Sequence, residues 1–177
     1  MIKRRGLVVA VGVLVLLGGY IFRTYPWNVA ITLEGVQYQL GSHRGVKPVT
    51  LRLHGTRDRP LFGPETFDGT VNISGASIPD RLNGRLLHVV FETGVGGLLT
   101  GSLWSHAQFY DYGALFPNQS FTAFTVTEWQ PEGNGSGWSG SNGLAISAPA
   151  TTRRQGLRIS NELMTAWSAL RPGHPLK

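Results

Sequence analysis

Five histidines (His43, His54, His88, His106 and His174) and ten Asp and Glu residues are the groups of this 177-residue chain fitted for acid–base or metal chemistry. Two histidines serve one metal when they sit on one face, as in His-x-His or four apart on a helix, and no such spacing occurs. The chain has no cysteine, which excludes disulfides, thiolate metal sites and a cysteine nucleophile. A histidine base with an orienting carboxylate is available locally as His106 with Asp111 or as His54 with Asp58. Either pair, assembled by a sheet, would serve an envelope hydrolase, the alternative function the sequence offers. His88, set in an apolar stretch, reads as a hydrogen-bonded core residue.

The remaining chemical motifs fail on context. Gly137, Ser139 and Ser141 come close to a nucleophile elbow, but the final glycine of that motif is a serine here. Gly135, Gly137 and Gly140 have the spacing of a dinucleotide fingerprint, which must follow a strand and open a helix; these glycines lie in a loop between strands. Acidic residues are spread singly, so the sequence itself brings no glycosidase pair together. It assigns no catalytic residue, metal ligand or cofactor.

Aromatic side chains are the better candidates for contact. Trp104, Phe109, Tyr110, Tyr112 and Phe116 form a dense stretch, and Trp129 and Trp138 flank a Gly-rich insert. Amphipathic rings at loop tips suit peptide or carbohydrate binding. Trp138, Trp129, Tyr110 and Tyr112 are therefore the candidate ligand contacts. Trp138, set among glycines and serines, is the one expected to be exposed.

The elements that must position these groups read as strands. Residues 29–40 keep an apolar rhythm that slips at Glu34 and Gly35, the mark of a bulge or a tight hairpin. Val49, Leu51 and Leu53 alternate with Thr50, Arg52 and His54, and Phe67, Gly69, Val71 and Ile73 with Asp68, Thr70, Asn72 and Ser74, each pattern predicting a half-buried strand. Residues 86–92, 98–104, 108–112, 121–129 and 144–148 continue the series. The insert 131–143 holds five glycines and predicts a flexible loop. Thr152 and Gln155 have the capping-box spacing. The period then changes to that of one amphipathic helix, within 152–170, burying Leu157, Ile159, Leu163, Met164, Ala166, Trp167 and Leu170. A short frayed tail should follow Pro172.

Ahead of all this lies an uncharged apolar run, residues 6–22, preceded by Lys3, Arg4 and Arg5 and followed by Arg23. Seventeen residues make a helix of about 25 Å, short but sufficient for a hydrocarbon core of about 30 Å with some thinning. A cleaved signal would need small residues at a cleavage site, whereas Phe22, Tyr25 and Trp27 suit an interfacial belt for a helix that stays. The anchor, with Gly6, Leu14 and Phe22 marking its two ends and middle, contacts the lipid bilayer. The excess of Lys and Arg ahead of the run places the N-terminus in the cytoplasm and the C-terminal domain outside, on a single-pass protein of the cell membrane. Residues 1–27 are then the anchor with its flanks, and 28–177 one extracytoplasmic domain large enough to bury a core.

The formal net charge of +6 is concentrated in the anchor. Four of the sixteen basic residues flank the apolar run, leaving twelve against ten acidic ones in residues 24–177. The groupings Arg52, Arg57, Arg59 and Arg153, Arg154, Arg158 are not interleaved with aromatics as in a strand-stacking groove. No nucleic-acid partner is expected; a protein or a cell-wall polymer is.

The order of features has a likeness elsewhere: an anchor, the strand over 33–40, then Phe67, Gly69, Val71, Ile73 and Gly75, then residues 146–154 with Pro149, and a closing helix with Asn161, Glu162, Leu163 and Met164. It resembles small membrane-anchored extracytoplasmic β-domain proteins of Gram-positive bacteria, a group without an assigned activity. The resemblance implies an antiparallel sheet with a C-terminal helix, and no activity or site residues. The sequence therefore predicts an α+β chain: an N-terminal transmembrane helix, then an antiparallel sheet, open or partly closed into a barrel, with one C-terminal helix. Its expected role is a binding or structural module of the bacterial cell envelope, or an accessory subunit of a membrane complex.

Overall fold

Eight strands run up and down around a closed antiparallel barrel, β1 (Trp27–Gln39), β2 (Lys47–Asp58), β3 (Glu65–Ser74), β4 (Leu87–Glu92), β5 (Gly96–Leu103), β6 (Gln108–Pro117), β7 (Phe124–Glu128) and β10 (Leu144–Ala148). Between the last two, β8 (Gln130–Glu132) and β9 (Gly135–Gly137) form a separate two-stranded hairpin. Helices α1 (Arg153–Leu163) and α2 (Thr165–Ala169) follow. This computed structural model describes residues 11–15, 17–20, 24–42, 45–77, 84–92, 96–103, 108–132, 135–169 and 175–177. Each strand of the barrel pairs with its neighbour in sequence, and β10 returns to β1, so closure removes the long free edges that an open sheet would leave.

Closure is uneven. β1 pairs with β2 along eleven residues, from Trp27 opposite Arg57 to Gln37 opposite Lys47. It meets β10 only from Val36 to Gln39. Beyond Ala148 the chain leaves the wall, with the Ala150 N–H donating to the Glu34 carbonyl at 3.1 Å, and among the described residues no strand pairs with the other edge of β1 over 28–33.

The interior is packed with side chains. Leu51, Leu53, Phe67, Val71, Val89, Leu99, Tyr112, Leu115, Phe124, Val126 and Ile146 are fully buried in one cluster. A small barrel filled this way is a core, each such side chain contributing about 1.5–3 kcal/mol by burial. A second cluster lies outside the wall, where Val36, Tyr38, Leu40, Ala114, Phe116, Ala145 and Met164 are buried beneath α1. The slip at Glu34 and Gly35 is thereby explained, and it is neither a bulge nor a hairpin. β1 is continuous in register there, and its apolar residues pass from the inward set (Val29, Ile31, Leu33) to the outward set (Val36, Tyr38, Leu40) as the strand runs beneath the helix.

The helix buries a different stripe from the one its apolar residues predict. Gly156, Ser160 and Met164 are the buried positions, with Leu157, Ile159, Leu163 and Trp167 partly covered and Ala166 exposed. Close approach is the reason: a Cβ at Gly156 would lie 2.6 Å from a ring carbon of Tyr38. The Tyr38 hydroxyl bonds Ser160 Oγ at 2.6 Å and Ser147 Oγ at 3.2 Å, and Thr125 Oγ1 is 3.1 Å from Ser160 Oγ, so four buried hydroxyls satisfy one another between sheet and helix. Burial pushes the Tyr38 hydroxyl above its ordinary pKa, against the smaller opposing effects of its serine partners and of Arg153.

Thr152 caps α1, its hydroxyl accepting from the Gln155 N–H at 3.3 Å, while Gln155 Oε1 accepts from Thr151, one residue earlier than in the expected box. The single predicted helix is two, broken at Met164. The Thr165 hydroxyl there donates to the Asn161 and Glu162 carbonyls, at 2.9 and 2.7 Å, competing with the helical ladder. The end of the chain is tied down rather than frayed. Asn161 bonds both the N–H and the carbonyl of Leu176, and the Gly41 N–H donates to the Lys177 carbonyl at 2.7 Å. The Gly-rich insert, expected to be flexible, holds the hairpin β8–β9.

At the N-terminus, residues 11–15 and 17–20 are helical, and Thr24 Oγ1 still donates to the Tyr20 carbonyl at 2.9 Å. Among the described residues no helix is long and apolar enough to cross a membrane. Gly6 and Phe22 lie outside the described residues, and Leu14 is 67% exposed.

Candidate functional site

The strand directions give the barrel two ends. At the near end β1 begins at Trp27, β2 turns into β3, and β6 turns into β7. At the far end β1 turns into β2 and the β8–β9 hairpin sits.

The near end is an open mouth. Residues 118–123 form a turn, so the strand expected from residue 121 begins only at Phe124. Asn118 Oδ1 accepts from the Thr122 and Ala123 N–H groups at 2.8 and 3.2 Å, and the Phe121 N–H donates to the Asn118 carbonyl at 3.1 Å. Phe121 is thereby held at φ 57°, a left-handed conformation uncommon for a bulky side chain. The turn drives its ring into the barrel, edge-on to Phe91 and Phe124 at 5.7 and 5.4 Å. Arg57 stacks its guanidinium over the other side, 4.2 Å from the ring centroid, and pairs with Glu65, which Arg59 also approaches at 3.3 Å. Phe121 is thus a stopper in the barrel, and Arg57 is its lid.

Beside the stopper, where β1 has no second neighbour among the described residues, a cleft of about 630 Å³ opens between residues 27–31, Arg57, Arg59 and residues 119–121. Val29, Ile31 and Phe121 give it apolar walls, the guanidinium groups a cationic rim, and the edge of β1 a row of backbone donors and acceptors. Such a cleft can hold an extended, mostly apolar segment; it contains no nucleophile with a base.

The far end is locked by polar contacts. Glu128, fully buried, accepts from the Tyr112 hydroxyl at 2.9 Å and from the Gln37 amide, and Gln37 Oε1 accepts from the Ser77 N–H at 3.1 Å and hydroxyl at 2.7 Å. A register shift between Leu99 and Thr100 leaves Tyr112 as the extra residue of β6, next to Gly113 opposite Glu128. No side chain fits at Gly113, since a Cβ there would lie 1.6 Å from the Thr127 carbonyl oxygen. A cavity of about 310 Å³ lined by Gln130, Trp138 and Asn142 also borders Glu128, yet the glutamate has no solvent exposure.

The aromatic candidates gather around this locked end, not around the mouth. Tyr112 is wholly buried, with its hydroxyl committed to Glu128, so it is a core residue and not a surface contact. Trp129, half-buried, follows Glu128 and donates its backbone N–H to the Tyr112 carbonyl at 2.9 Å. Tyr110 sits in β6 opposite Gly101. Trp138 is not the exposed residue expected: its ring packs edge-on to Trp167 at 5.3 Å and its indole N–H donates to the Leu144 carbonyl at 2.7 Å. The apolar neighbours its local sequence lacks come from the C-terminal helices.

Neither hydrolase pair assembles among the described residues. His54 and Asp58 are four residues apart along β2, about 13 Å at the rise of a strand. Asp111 accepts from the Thr100 hydroxyl at 2.8 Å, and His106 lies outside the described residues. His88, predicted in the core, is exposed on the wet outer wall, where Nδ1 meets Asp68 Oδ1 at 2.6 Å. Among the described residues no three His, Asp or Glu side chains gather as metal ligands.

The sequence offered Arg57 only as one of a basic grouping and gave Phe121, Glu128 and Gln37 no role beyond their strands. Only Phe121 had a local signal, the turn residues Asn118, Ser120 and Thr122 ahead of the apolar run. No family model, curated protein or solved structure matches the chain.

Proposed function

We propose that the chain is a single-pass membrane-anchored binding module of the cell envelope, with its barrel outside the membrane. The near-end cleft takes an extended segment of a partner protein against the edge of β1. The observation carrying the binding reading is that edge, which no strand among the described residues pairs over 28–33, beside an apolar wall formed by Phe121. Strand addition supplies affinity through main-chain bonds and specificity through pockets for alternate side chains, and Val29 and Ile31 face one such pocket. The N-terminal helix supports the anchoring half: Leu14 and Val15, 67% and 68% exposed, belong to no apolar cluster, and an aliphatic helical surface left outside the core is stable in lipid.

A photo-crosslinking residue placed at Ser120, on the rim, and in a separate chain at Ser141, at the far end, tests both halves in intact cells. The expected result is a discrete protein adduct from position 120 and none from 141, on a chain that stays in membranes through alkaline carbonate. Equal adducts from both positions, none from either, or release by carbonate would overturn the reading.

A further inference from the structure

The near end carries a second feature, which meets the cleft only at Trp27. The connection from β2 to β3, residues 59–64, presents Leu61 and Phe62 between Pro60 and Pro64, and Phe62 is 91% exposed. Single exposed apolar residues need no explanation, but this pair has company. Trp27 lies opposite Arg57, at the level where β2 runs into that connection, and Trp27 and Tyr25 are exposed too. Four large apolar side chains, three of them aromatic, thus crown one end of the barrel. At the far end, exposed Val46 and Leu86 are aliphatic and stand on separate connections.

The tether fixes what this crown meets. Five residue steps separate Phe22, the end of the apolar run, from Trp27, at most about 18 Å fully extended. The span is shorter still, because Thr24 is helical and bonded back to Tyr20. The headgroup zone on each side of a bilayer is about 5–8 Å deep. A barrel held on so short a leash has its near end at the bilayer surface, and Tyr and Trp are the side chains that partition into that zone.

We infer that Leu61 and Phe62 form a second membrane contact, dipping into the interface beside the anchor so that the barrel stands on the bilayer with its near end down and the cleft opening sideways along the surface. The inference rests on the anchoring reading above. Two contacts at one end fix the tilt of the barrel, which a single tether leaves free, and they select a juxtamembrane segment of a neighbouring protein as the strand that reaches β1.

Because the chain lacks cysteine, single-cysteine labelling reads this directly. Phe62→Cys and Val46→Cys, each in the full chain, carry a nitroxide after reconstitution into phosphatidylcholine vesicles. Its collision rates with oxygen, which concentrates in lipid, and with a water-soluble nickel chelate are then compared. The expected result is a several-fold higher oxygen-to-nickel ratio at position 62 than at position 46. Equal ratios on a chain that remains with the vesicles through alkaline carbonate would overturn the second contact alone. Loss of the chain from the vesicles would overturn the anchoring reading and the contact with it. Protection of position 62 from both reagents would show a protein neighbour there and refute a lipid contact. A Leu61→Ser, Phe62→Ser chain, carrying the label instead on Pro64→Cys, should fold with unchanged melting temperature and lose the lipid-side preference that the same label shows beside the native pair; an unchanged preference would contradict the proposal.

Discussion

The two ends of the barrel are built on opposite principles. At the far end a buried carboxylate is satisfied by an amide and a phenol, β10 pairs with β1, and the terminal residues are bonded to the helix and to Gly41. At the near end one aromatic ring held by an Asx turn closes the interior, and among the described residues β1 has a neighbour on one side only over 28–33. Within one small barrel, buried polar bonds pin the far end, while apolar packing around one ring closes the near end.

Removing the stopper is the most severe way to test this contrast. Phe121→Ala is expected to cost about 3–5 kcal/mol, the range for truncating a buried aromatic, and urea unfolding measures it. A loss below about 1 kcal/mol would mean the mouth was never sealed. Glu128→Ala comes next, at about 2–3 kcal/mol, because it removes a buried carboxylate that accepts from the Gln37 amide and the Tyr112 hydroxyl. Glu128→Gln, which keeps an acceptor, should recover part of that loss in the same titration.

Tyr38→Phe breaks the hydroxyl cluster under the helix at about 1 kcal/mol. It also carries a pH signature. The folded pKa of Tyr38 is raised above the ordinary value of 10.0, so its contribution to stability is fully present below pH 10 and declines as the pH climbs from there through the folded value. Melting temperatures between pH 9 and 11 should fall less steeply for Tyr38→Phe than for the parent. The smallest effect is expected at Phe62→Ser, within about 0.5 kcal/mol in detergent, as for a surface position without partners; a larger loss would assign that ring to the core of the near end.

How much of this was legible depended on which side of the wall was wet. β2 and β3 face water over most of their outer surface, so Val49, Leu51 and Leu53, and Phe67, Val71 and Ile73, announced themselves by alternation. β7 and β10 are buried on both faces, inside the barrel and under the helix. Alternation disappears there, and the changeover in β1 at Gly35 imitated a bulge. The closing helix was placed correctly, but its contact stripe was missed because tight packing on Tyr38 selects the small residues Gly156 and Ser160, which a search for apolar periodicity passes over. The cleft was invisible because residues 27–31, 57–59 and 119–121 meet only when the barrel closes. Trp138 misled for the same reason, its covering residue Trp167 being twenty-nine positions away.

Amide hydrogen exchange along β1 of the full chain in micelles tests the central contrast most directly. The amides of residues 28–33 that point away from β2 are expected to exchange at least a hundredfold faster than those of residues 36–39 that point to β10. Uniform protection along the whole of β1 would mean that a strand already occupies that edge, and the open mouth would be contradicted.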